Sequence, residues 1–279
     1  MIFDTHSHCY WDSLYGRIGD IISHMDDVWV MHAVQIGCDV ESSEKAIELA
    51  RKFPGRFFAT VWYHPEEAQD NSDYTYVEKL EELIISHRES IVAIGECGFD
   101  FHYLDGSNNG KEAINMNSLS NKAKLQIESQ KNWWMIQWEM AQKYNLPLVI
   151  HTRDARDDTL SFMREHDIYR AVMHCFSEDW DFARELLEFS PEIYFSFSGI
   201  VTYKNALKIQ EAAAKIPLNR ILIETDAPFL APQPVRGSEN EPAYVRYVLD
   251  KIISLRDETP EEIEKVIYEN SLRFYAVTA

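Results

Sequence analysis

Ile2-Phe3-Asp4-Thr5-His6-Ser7-His8 is the stretch that decides the fold. An apolar run closes on His-x-His, and residues i and i+2 of a strand point to the same face. Both imidazoles can therefore grip one metal ion. The pattern recurs downstream. Glu96 follows Ile91-Val92-Ala93-Ile94-Gly95, and His151 follows Leu148-Val149-Ile150. His174 follows Ala171-Val172-Met173, and Asp226 follows Ile221-Leu222-Ile223-Glu224-Thr225. Short apolar runs that all close on metal-binding side chains read as strands emptying into one mouth.

Working outward, eight apolar runs read as strands: Ile2–Asp4, Trp29–Ile36, Phe57–Tyr63, Ile91–Gly95, Pro147–Ile150, Ala171–Met173, Ile193–Phe197 and Arg220–Ile223. Between them, Glu41–Phe53, Tyr74–His87, Asp179–Phe189, Asn205–Ile216 and Tyr244–Leu255 carry apolar residues at helical spacing. Strands apolar on both faces that alternate with helices indicate a parallel sheet. Eight repeats predict an α/β fold of the (β/α)8 TIM-barrel type, as a single domain over residues 1–279. A doubly wound sheet is the runner-up, but no G-x-G-x-x-G turn occurs. Tyr103–Asn121, rich in Asn, Ser and Gly, breaks the rhythm after the Glu96 strand. In a barrel it emerges on the catalytic side, as a surface insertion or as a substrate rim.

Composition narrows the class. Hydrophobic residues make up 46% of the 279, enough for a large core. No stretch of about 18 apolar residues occurs, so no membrane span is expected. The N-terminus lacks a basic segment followed by an apolar one, which predicts a cytoplasmic protein without a signal peptide. Cys9, Cys38, Cys97 and Cys175 form no Cys-x-x-Cys pair and read as buried reduced thiols. A net charge of −19 argues against coating long nucleic acid, which needs a basic surface. It leaves room for a pocket that takes one strand end.

His6, His8, Glu96, His151, His174 and Asp226 are more ligands than one zinc needs. A bridged pair of ions is the economical reading, with His6, His8 and Asp226 on the first, His151 and His174 on the second, and Glu96 between them. Asp226, beside the activated water, suits the general base. His64, in Tyr63-His64-Pro65, faces the same mouth as a substrate-binding or a structural residue. Arg153, two residues past His151, and Arg236, in a Pro-rich loop, could pair a phosphate or form structural ion pairs. Trp62, Tyr63, Phe99, Phe101, Tyr103 and Tyr203 offer rings for stacking bases or for packing. His24, His32, His87, His102 and His166 lack this context and read as surface or structural.

These residues resemble the TatD-like metal-dependent deoxyribonucleases, within the amidohydrolase-type barrels. The resemblance covers nearly the whole chain. It runs through Asp4-Thr5-His6-Ser7-His8, His64-Pro65, Ala93-Ile94-Gly95-Glu96-Cys97-Gly98-Phe99-Asp100 and Ile150-His151-Thr152-Arg153-Asp154-Ala155. It continues through His174-Cys175-Phe176-Ser177 and Ser198-Gly199-Ile200-Val201-Thr202-Tyr203-Lys204-Asn205-Ala206. Its most specific part is Ile223-Glu224-Thr225-Asp226-Ala227-Pro228-Phe229-Leu230-Ala231-Pro232, followed by Arg236-Gly237 and Asn240. The resemblance implies a (β/α)8 fold and two divalent cations (Zn, Mg or Mn). It implies hydrolysis of phosphodiester bonds, often from DNA 3′ ends, with DNA ends or short single-stranded oligonucleotides as substrate. It places His6, His8, Glu96, His151, His174 and Asp226 as metal ligands, and His64 and Arg153 at positions that approach substrate phosphate. No obligate protein partner is implied. Two departures bear on substrate size: Trp62 stands near a usual Gly and is expected to narrow the mouth, and Tyr103–Asn121 is longer than the usual connection. The competing readings are an amidohydrolase or esterase using the same water on a carbonyl, and a non-catalytic metal-bound scaffold, which would need no base at Asp226.

Overall fold

Strands buried on both faces need a neighbour along each edge and a covering layer on each side, and the chain supplies both by alternation. The computed structural model describes residues 1–70, 73–105 and 119–278. Its strands are β1 (Ile2–Ser7), β2 (Val30–Ile36), β3 (Phe57–Val61), β4 (Ile91–Asp100), β5 (Leu148–Arg153), β6 (Ala171–Met173), β7 (Tyr194–Phe197) and β8 (Ile221–Ile223). Each pairs in parallel with the next, in chain order. The ring closes between β8 and β1 through single bonds: Ser7 bridges Ala227, His8 N donates to Ala227 O at 2.7 Å, and Asp226 N donates to His6 O at 2.8 Å. This is the nearly closed (β/α)8 barrel that the sequence predicts.

The predicted helices all form, within about two residues of their expected ends: Val40–Lys52, Tyr76–Ser86, Trp180–Phe189, Leu207–Lys215 and Val245–Ser254. Asp39 starts the first by accepting from Ser42 N, and Asp179 starts the third by accepting from Phe182 N. Two long helices escape the sequence reading, Asn121–Tyr144 and Pro260–Tyr275. The first has no single apolar stripe, because it buries Gln126, Gln130 and Gln137 alongside Trp133, Trp134 and Met140. Gln130 accepts from Asp100 N and donates to Asp100 O, so it holds the end of β4 as a neighbouring strand would. The second brings Tyr268, Phe274 and Tyr275 into one cluster with Phe3, Val34, Val92, Val149, Val172 and Leu222 of the strands. Among the described residues, no helix is long and apolar enough to cross a membrane.

β4 and β1 are irregular where the chemistry sits. β4 does not stop at Gly95, as the sequence reading has it, but runs to Asp100, buried throughout. Gly95 pairs with Val149 and Cys97 with Ile150, so Glu96 is the extra residue of a bulge. On β1, Asp4 pairs with Ala33 and Ser7 with Gln35, so Thr5 and His6 together stand opposite Val34 in a second bulge. A bulge re-aims one side chain without ending the strand.

Candidate metal centre

The C-terminal ends of the strands surround a cavity of about 600 Å³, lined by His8, His64, Glu96, His151, His174 and Asp226 among others. All six residues predicted as ligands converge here. His6 and His8 stand two apart on and just past β1, and each Nε2 lies 3.5 Å from Asp226 Oδ1. His6 Nε2 is 3.3 Å from Glu96 Oε2. The other oxygen, Glu96 Oε1, is 2.7 Å from His151 Nδ1 and 2.8 Å from His174 Nε2. His64 Nε2 also approaches Oε1, at 3.5 Å. Ligand atoms fall into three mutually close groups: His6–His174–Asp226, His6–His8–Glu96 and His64–Glu96–His151.

The donor set fits divalent cations. Both ring nitrogens of His6 are buried without a hydrogen-bond partner, although two carboxylates face Nε2. Burial, with His174 beside it, holds the His6 imidazole below its usual pKa. Neutral imidazole is the form that donates a lone pair to a metal. Burial pushes the Glu96 carboxyl up, but His174, His64 and His6 outweigh it and hold the group well below the ordinary carboxylate range. Asp226 behaves alike: burial opposes its charge, and His8, His6 and His174 restore it.

A second layer of acceptors orients the rings. Asp100 Oδ2 lies 3.0 Å from His151 Nε2, Glu224 Oε1 lies 3.0 Å from His174 Nδ1, and Ile36 O lies 2.9 Å from His8 Nδ1. Such partners fix the tautomer and raise the basicity of a ligating histidine. Asp100 and Glu224 carry no assigned role in the sequence reading. Their signal is placement: Asp100 closes the Glu96 strand, and Glu224 stands two residues before Asp226.

The remaining expectations divide. Arg153 lines the cavity, its guanidinium 5.1 Å from the Tyr103 ring centre, and no ion pair ties it to another described residue. Arg236 lies over Tyr203 at 4.4 Å and does not line the cavity. Trp62 is only 1% exposed and packs in the core, so it does not narrow the mouth. Tyr63, Phe99 and Phe101 are buried in the same cluster, and of the six rings weighed as stacking platforms only Tyr103 reaches the cavity. Two further aromatic rings line it, Trp11 and Phe229, which the sequence reading does not single out. The His102 ring pairs with Asp154, His24 with Glu241, and His32 with Gly55 O and Tyr268; none of these contacts is with a candidate ligand. All four cysteines are free; Cys9 and Cys97 are fully buried, whereas Cys38 and Cys175 are only partly so and touch the cavity. Most of the Tyr103–Asn121 insertion, residues 106–118, lies outside the described residues, and the proposed rim with it.

Comparison with known proteins gives the chain's kinship. A family model described as TatD related DNase matches residues 3–276. The metal-dependent hydrolase YabD of Bacillus subtilis is 34% identical, over 99% of this chain and 100% of its own length. The metal-dependent hydrolase YcfH of Escherichia coli K12 is 32% identical, over 100% and 97%. The crystal structure of YJJV, a TatD homologue from Escherichia coli, superposes with a TM-score of 0.84 at 23% identity, covering 99% of this chain and 98% of that one. With a buried carboxylate shared between histidines at the mouth of a barrel, and kinship along its whole length, this chain belongs to the TatD-related DNase family of metal-dependent hydrolases.

Proposed function

We propose that the protein is a phosphodiesterase that shortens DNA ends, in the 3′→5′ direction, as a single cytoplasmic domain holding two divalent cations. The observation that carries the two-ion reading is the division of one carboxylate: Glu96 Oε2 faces His6, while Oε1 faces His151 and His174. In this reading His6, His8 and Asp226 would hold one ion, His151 and His174 the other, and Glu96 would be shared between them. The ions, when bound, supply positive charge to the attacked phosphoryl oxygen and acidify a water to a pKa of roughly 7.

The chain's own residues do the rest. Asp226, kept ionised, takes the proton of the attacking water as the water oxygen bonds to phosphorus; the P–O bond to the leaving group breaks, and the departing alkoxide takes a proton from solvent. Arg153, unpaired among the described residues, meets a non-bridging phosphate oxygen from the His151 side. His64, close to Glu96 Oε1, adds a donor to the same phosphate. A guanidinium at the cavity without an ion pair among the described residues is what favours phosphate over an acyl substrate, which brings no anionic oxygen to pair.

Two measurements test this. Elemental analysis after reconstitution with zinc or manganese is expected to plateau at about two ions per chain, and a plateau at one removes the bridge. Turnover of single-stranded DNA, bis-nitrophenyl phosphate and acyl esters by the loaded protein is expected to favour the phosphodiesters. Preferential hydrolysis of the esters would overturn the substrate assignment.

A further inference from the structure

Two aromatic rings stand beside the metal centre with a large part of their surface in solvent. Trp11 is 41% exposed and Phe229 44%, and both line the cavity that holds Glu96 and Asp226. They are placed by the same device on two adjoining loops. Trp11 N donates to His8 O at 3.1 Å, and Phe229 N donates to Asp226 O at 2.8 Å. Each ring thus lies three residues beyond a metal-site side chain, at the end of a turn that folds it back toward that side chain. The rings meet at 5.0 Å and 90°, and their centres lie 6.2 and 6.4 Å from the His8 ring.

We infer that Trp11 and Phe229 form a nucleobase-binding corner that seats the base adjoining the scissile phosphate. This rests on the phosphodiesterase reading above. Perpendicular rings make two walls, so a flat heteroaromatic can lie along one face and press its rim against the other. Ile200 and Leu230 extend the apolar lining of the same cavity. Arg153, which makes no ion pair among the described residues, stands instead at the end of the His151 strand, over the Tyr103 ring. Base and phosphate therefore have separate seats, with the ligand cluster between them. Aromatic stacking tolerates any base, because every base offers a π-face. The corner would accordingly grip nucleotides without reading sequence. Exposed apolar rings at a polar cavity are otherwise unfavourable to leave in water, and such patches mark binding sites.

The test uses the full chain loaded with manganese. Its substrates are a short single-stranded oligothymidylate and the same strand with abasic residues at its 3′ end. Cleavage is followed together with binding, read by anisotropy of a 5′ dye. Trp11→Ala and Phe229→Ala are each expected to raise KM and Kd for the oligothymidylate by about tenfold to a hundredfold. The abasic strand should lose far less, and Trp11→Phe should recover most of the Trp11→Ala deficit. Equal losses on both strands, or no loss on either, overturn the corner while leaving the phosphodiesterase reading intact. Base-dependent binding that needs Trp11, without cleavage of either strand, upholds the corner and sinks that reading. A wild-type protein that neither binds nor cuts the strands removes both.

Discussion

Asp226 stands in an unusual backbone state: its φ is 59°, left-handed for a residue with a side chain. Such conformations cost of order 1–3 kcal/mol and persist where the surroundings over-determine them. Here His6 O accepts its N–H, and its own O accepts from Phe229 N. Asp226→Asn retains the shape and removes the charge. It is expected to keep the circular-dichroism spectrum and lower turnover by about 10²–10⁴-fold; near-wild-type turnover would take Asp226 out of proton transfer. His151 makes a second prediction. Burial opposes its positive charge, but Asp100 and Glu96 push its pKa up to about 9. A group with a raised pKa holds its proton below that value, so at neutral pH a metal must displace it. Apparent metal affinity should therefore fall as pH drops below about 9, roughly tenfold per unit for each proton displaced. Calorimetry of manganese binding in two buffers of different ionisation enthalpy would show the protons; identical heats would show that none is released.

At the scale of the element, β4 explains both what the sequence reveals and what it hides. Gly98 has φ 131°, and a Cβ there would stand 2.1 Å from His151 O. Gly98→Ala is expected to push β5 away, costing at least about 2 kcal/mol and weakening metal retention. A thermal melt with and without manganese measures both, and an unchanged melting temperature would mean the close approach is not needed. Apolar runs, helical spacing and the chemistry of His, Glu and Asp made the eight strands, five helices and the six side chains that converge at the mouth legible. The place of Glu96 inside β4 was not, because a bulge is written in glycine dihedrals and register rather than in hydrophobicity. The helix Asn121–Tyr144 escaped because its buried face is built partly from glutamines that bond to backbone. Trp11 and Phe229 escaped because turn geometry, not residue type, separates a ring at the cavity from the buried Trp62. Their trace in the sequence is the spacing of three from His8 and from Asp226.

At the scale of the whole molecule, charge and closure govern. A chain of net charge −19 repels a polyanion at long range. Raising salt from 0.01 to 0.1 M shortens the screening length from about 30 to about 10 Å. The kcat/KM for an oligonucleotide should then rise, opposite in sign to a protein that releases counterions from a basic surface. A steep fall would mean that the few cations near the mouth dominate. The ring itself is fastened where β8 meets β1 by scattered bonds: Ser7 to Ala227, Thr5 Oγ1 to Ile223 O at 2.9 Å, and Asp4 to Thr225 N at 2.8 Å. His6 and His8 come from one side of that seam and Asp226 from the other. An ion held by all three is a clasp on the barrel, and at a hundred times its dissociation constant it adds about 2.7 kcal/mol to stability. Amide exchange across Asp4–Ser7 and Thr225–Ala227 should slow most on loading. A ribosome-bound chain whose last strand is still unmade cannot bring Asp226 to His6 and His8, so the three side chains first meet once synthesis has passed Asp226.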